Sequence, residues 1–137
     1  MTKYKSNLTL GDHSDSCSNP IHVNTFDHTK AHLDGEYYLV TKEDAVEKGW
    51  SNHLTNGRDT YMSVKTPKHC IYWHSLGHWW LGSCDPPGVN SGYAYLQPDK
   101  TCPYDGAAKE WKRAGSDRVL EKFQVTEATG ESLGKWE

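Results

Sequence analysis

His69-Cys70-Ile71-Tyr72-Trp73-His74-Ser75-Leu76-Gly77-His78-Trp79-Trp80-Leu81-Gly82-Ser83-Cys84 holds three of the six tryptophans and two of the four cysteines. Trp, Tyr and Ile favour a pleated, half-buried surface, so the stretch reads as two short strands. Ser75-Leu76-Gly77 joins them as a three-residue hairpin loop, a type I turn followed by a left-handed residue, with Gly77 at the left-handed position. That loop pairs His74 with His78, Trp73 with Trp79, Tyr72 with Trp80 and Ile71 with Leu81. Side chains alternate between the faces of a strand. One face then carries Ile71, Trp73, Trp79 and Leu81 and reads as core. The other carries Tyr72, His74, His78 and Trp80, aromatic rings with a polar handle, and reads as a wet platform or as a second covered face. A one-residue slip would mix the two sets.

Around the hairpin the chain shows short strands and many turns. Ile21 to Phe26 alternates apolar and polar residues. Asp34-Gly35 is a turn ahead of a strand from Glu36 to Val40. Thr41-Lys42-Glu43-Asp44 resembles a capping box and Gly49 a stop, so about two helical turns lie between them. Asn56-Gly57 is a hairpin turn leading into the alternating run Asp59 to Val64. Further strands are expected at Gly92–Leu96 and Phe123–Thr126, and Trp111–Arg113 ends a strand or a helical turn. Spacing of this kind predicts an all-β fold: a single sandwich or barrel-like domain of short antiparallel strands with one short helix. Residues 1–16 read as a polar arm, 17–127 as the domain and 128–137 as a tail. Gly35–Leu39 and Gly92–Leu96 echo one another, and Ala45–Trp50 loosely echoes Ala107–Trp111. Two related halves would make the fold pseudo-two-fold, with Trp50 and Trp111 in equivalent places.

Composition narrows the function classes. The chain has 137 residues and a formal charge of -3, with Lys and Arg scattered. No basic stripe points to nucleic acid. No run approaches the ~18 apolar residues of a membrane span. The start lacks an apolar segment, so either a signal peptide has been removed or the protein has none. Asn7-Leu8-Thr9 matches the N-glycosylation sequon. Cys17, Cys70, Cys84 and Cys102 contain no Cys-x-x-Cys pair, which argues against structural zinc and for disulfides in an oxidising compartment. Of three connectivities, Cys84–Cys102 with Cys17–Cys70 is favoured, because the first closes a loop rich in Pro and Gly. A loop of that size stabilises by ~3 kcal/mol in the chain-entropy model. Four reduced, buried thiols are the alternative.

Three chemistries have candidate residues. Sugars stack an apolar C–H face on aromatic rings and hydrogen-bond through their hydroxyls. Tyr72, His74, His78 and Trp80, with Asn56, Arg58 and Asp59 in a turn and Asp85 and Asn90 in a loop, are the parts of such a site. For a metal, His28 and His32 would share a face if that segment were helical, and His74 and His78 are cross-strand neighbours. Solvated or hydrogen-bonded histidine is the plain alternative. Calcium is left open by Asp99 and Asp105 beside Cys102, although the EF-hand pattern is missing. For catalysis, no Gly-x-Ser-x-Gly or phosphate-binding glycine loop exists. A carboxylate pair drawn from distant positions has no local signature.

The order Gly35-x-Tyr37, Asn56-Gly57-Arg58 with Tyr61, Tyr72-Trp73, Trp79-Trp80-Leu81-Gly82, Gly92-x-Ala94-Tyr95, Cys102-Pro103 and Trp111 resembles Trp/Gly-rich, cysteine-containing β modules of secreted and cell-surface proteins of marine invertebrates. The resemblance spans roughly Cys17 to Thr126. It implies an extracellular setting and a recognition role, and brings no catalytic residues. The expectation is therefore a secreted, lectin-like, non-catalytic protein that binds glycans or glycoproteins without a required cofactor. Multivalency calls for two sites per chain or a homo-oligomer. A small secreted hydrolase, metal-assisted or built on a carboxylate pair, and a structural or protein-binding ectodomain module are the other readings.

Overall fold

The computed structural model describes residues 17–84, 87–88, 92–97, 100–106, 109–116 and 118–127. The polar arm, the C-terminal tail, the sequon at Asn7, and Asp85, Asn90 and Asp99 lie outside them.

The hairpin forms in the expected register. β6 (His69–His74) pairs with β7 (His78–Ser83), setting His74 against His78 and Ile71 against Leu81. Gly77 takes φ 92°, and its N–H donates to the His74 carbonyl at 2.9 Å. The remaining strands are β1 (Ile21–Asn24), β2 (Gly35–Leu39), β3 (Leu54–Thr55), β4 (Arg58–Asp59), β5 (Tyr61–Ser63), β8 (Gly92–Leu96), β9 (Trp111–Arg113) and β10 (Gln124–Glu127). Eight of them make one antiparallel sheet in the order β10-β1-β2-β5-β6-β7-β8-β9, nearly closed into a barrel. The two edges approach through side chains: the rings of Trp111 in β9 and Phe123, just before β10, lie 4.9 Å apart. β3 and β4 form a separate hairpin. Its turn has Asn56 at φ 51° and Gly57 at φ 88°, the pair of positive values that a two-residue type I′ turn demands.

The helix follows from its ends. In α1 (Lys42–Lys48) the Thr41 hydroxyl accepts from the Asp44 N–H, the Asp44 carboxylate accepts from the Thr41 N–H, and Gly49 closes the helix at φ 78°. Two 3-10 turns, His28–Leu33 and Pro103–Asp105, complete the regular structure of the described residues.

Inside the barrel the aliphatic supply is thin and aromatic rings fill the space. Tyr37, Tyr61, Trp79, Trp111 and Phe123 pack with Ile21, Val23, Leu39, Ile71, Leu81, Ala94, Leu96 and Val125. Each large ring buries on the order of 200 Å², which lets few residues do the work of many aliphatics. Trp73 sits partly buried at the border of this core, edge-on to Trp79 at 5.4 Å.

Two expectations are corrected. The disulfides are Cys17–Cys102 and Cys70–Cys84, not Cys84–Cys102 and Cys17–Cys70. Hairpin pairing decides this: β6 and β7 bring Cys70 and Cys84 together on one face at the open end of the hairpin, with Cα atoms 5.2 Å apart. Trp50 and Trp111 are also not equivalent. β2 and β8 do share a burial pattern over their last four residues, but the segment after β2 is a helix, whereas Trp111 lies in a strand. Trp50 packs outside the sheet on Cys70 and Tyr72, while Trp111 is in the core.

Candidate functional site

The outer face of the central hairpin is where the sequence placed a platform. Only half of it meets solvent. Tyr72 is fully buried and His74 is 8% exposed, so neither belongs to a wet surface. Tyr72 lies in a second, smaller cluster outside the sheet, in which Cys70, Tyr72 and Cys84 are covered by Trp50, Met62 and Trp80, and His74 lies under the Trp80 ring. Burial pushes the Tyr72 phenol up to about 12. Burial, and then the neighbouring His78, hold the His74 imidazole below its ordinary range. Its role is local: Nδ1 accepts the Leu76 N–H at 3.1 Å, which requires that nitrogen unprotonated and ties the hairpin loop down.

Trp80 and His78 remain half-buried and border open space. The β7–β8 register puts Trp80 opposite Tyr95. The Trp80 ring is stacked on both sides, by His74 at 4.7 Å and by Tyr95 at 5.5 Å. His78 leans on Tyr95 at 5.6 Å. The result is a row of rings rather than a flat tile. Beside it runs a groove of about 580 Å³, closed by Leu76 at the loop, by Gln97 after β8 and by Ser116 in the turn after β9. The Tyr95 hydroxyl donates to the Ser116 carbonyl at 3.1 Å and fixes that wall. Two buried atoms on the groove's side chains, Trp80 Nε1 and His78 Nδ1, have no hydrogen-bond partner among the described residues. A buried polar atom left so costs ~1–3 kcal/mol.

The turn residues do other work. Arg58 lies 3.7 Å over the Trp73 ring and donates to the Lys100 carbonyl at 3.0 Å. Trp79 Nε1 donates to the same carbonyl at 2.9 Å. Asn56 Nδ2 donates to the Trp73 carbonyl at 2.9 Å. Asp59 is 1% exposed. None of the three lines the groove with Trp80.

His28 and His32 do not form a helical pair, because the segment is a 3-10 turn kinked at Lys30. His32 instead meets His69, ring to ring at 5.3 Å. No group of three His, Cys, Asp or Glu side chains suited to a metal occurs among the described residues. Asp105 accepts the Cys102 N–H at 3.0 Å and caps its own turn. Tyr95, Gln97 and Ser116 were missed by the sequence reading. The Tyr95 signal was present in the alternation of Gly92–Leu96; the other two follow only from the fold. No protein-family model, curated protein or solved structure matches this chain.

Proposed function

We propose that the protein is a secreted, lectin-like carbohydrate-binding protein whose ligand lies in the groove beside Trp80 and Tyr95. The observation that carries this reading is the groove itself: an aromatic wall with polar side chains at its margins. A sugar ring packs its C–H face against Tyr95 and the rim of Trp80, and its hydroxyls reach His78, Gln97 and Ser116. A concave site with aromatic walls and a few placed polar groups suits such a ligand. Trp80, held between two rings, acts as the post that sets Tyr95 rather than as the stacking surface. The two disulfides fit an oxidising, extracellular-type compartment. No helix among the described residues is long and apolar enough to cross a membrane.

Glycan-array screening with and without EDTA tests the reading. Binding that survives EDTA supports it. Absence of binding in both conditions contradicts it, and loss with EDTA moves the site to a calcium centre. Gln97 is exposed, so Gln97→Ala should weaken a glycan hit about tenfold, the value of one or two hydrogen bonds, without moving Tm.

A further inference from the structure

At the barrel end opposite the hairpin loop, the starts of β6 and β8 meet the ends of β7 and β9 and the first 3-10 turn. They enclose a cavity of about 380 Å³. Its charged lining is of one sign, Lys30, Lys68 and Arg113, with His32 and His69 beside them and no acidic residue among the described lining. That is unexpected in a chain with 18 acidic and 15 basic residues. Like charges gathered at a low-dielectric wall repel, and folding gains nothing from the arrangement itself.

Tyr93 organises the cluster. Lys30 Nζ lies 5.7 Å and Arg113 Cζ 5.6 Å from its ring centroid, so one ring holds two cations in place. Asp27 and Asp34, whose charges reach Tyr93, are already engaged: Asp27 caps the turn through the Thr29 N–H and hydroxyl, and Asp34 accepts from the Thr25 N–H. His69 Nε2 is buried and has no hydrogen-bond partner among the described residues. Burial first, and then the neighbouring His32 and Lys68, hold the His69 imidazole below its ordinary range.

We propose that this end of the barrel is a second binding site, separate from the groove, for a tetrahedral oxyanion presented as a sulfate or phosphate group. Arg113 offers a planar fork to two oxygens, Lys30 and Lys68 supply point charges, and the two imidazoles supply N–H donors.

The test uses the whole protein titrated with sodium sulfate or sodium phosphate at constant ionic strength, followed by calorimetry and by the histidine ring C–H resonances. A sulfated and a phosphorylated monosaccharide form two further arms, which tell the two sources of the anion apart. Saturable shifts confined to His32 and His69 are expected. Lys68 and Arg113 are exposed, so Lys68→Ala and Arg113→Ala should each weaken binding about tenfold without changing Tm. Lys42→Ala, an exposed lysine on α1, should leave it unchanged, as should Gln97→Ala in the groove. Unmoved His32 and His69 resonances in all four arms overturn the proposal. So does equal affinity in Lys68→Ala and Lys42→Ala. Failure of glycan binding in the groove does not bear on this outcome.

Discussion

Gly92 lacks a side chain because Trp80 occupies the space: a Cβ built there would lie 2.5 Å from the indole. The contact is with a ring that is itself stacked on both sides, so the neighbour has no room to yield. Gly92→Ala should therefore cost about 1–3 kcal/mol, read as a lower urea midpoint with an unchanged slope. For the same reason Trp80→Ala removes a packing post and cannot separate binding from folding, whereas Gln97→Ala can. The histidines make a second prediction. The imidazoles of His69 and His74 both have pKa values below the ordinary 6.5, so the folded state binds fewer protons than the unfolded one. Their contribution is present above that value and is lost as pH falls through the lower folded values. Tm should fall between about pH 7 and pH 5, as expected for imidazoles held neutral. A Tm that rises over that window contradicts this account of His74. Tyr72 and His74 were legible as an alternating face, but that both would be covered was not. The cover over Tyr72 comes from Trp50 after the helix and Met62 on the neighbouring strand, that over His74 from the Trp80 ring, and alternation says nothing about what lies over a face.

Local rules carried the elements that depend on a few adjacent residues. The Ser75-Leu76-Gly77 loop, the Asn56-Gly57 turn and the Thr41–Asp44 capping box each specify a backbone geometry by themselves, and each formed as the residues demand. The disulfides show where that reasoning stopped short. The hairpin register already put Cys70 and Cys84 on one side of paired strands, a stronger constraint than the Pro/Gly content of the loop after Cys84. The two bridges should not contribute equally. Cys70 and Cys84 are 14 residues apart, Cys17 and Cys102 are 85 apart. Chain entropy gives about 3 kcal/mol for the short loop and about 4.5 kcal/mol for the long one. Replacing Cys17 and Cys102 together by Ala should thus lower stability more than replacing Cys70 and Cys84, measured by chemical unfolding of the two double variants. The opposite order would mean that the unfolded chain is already compact around the long loop.

At the scale of the molecule, one sheet wraps around an aromatic core and leaves different chemistry in two places. The groove beside Trp80 and Tyr95 lies on the outer wall, and the basic cavity lies at one end. Neither could be assembled from sequence spacing. The groove joins residues from β7, β8 and two turns, and the cavity joins the first 3-10 turn to the ends of four strands. The central claim is that a glycan occupies the groove. It is tested most directly by titrating a glycan-array hit into the protein while recording the six indole N–H resonances. The Trp80 indole should shift progressively while those of Trp79 and Trp111, buried in the core, stay in place. A glycan that binds and leaves the Trp80 resonance unmoved would contradict it.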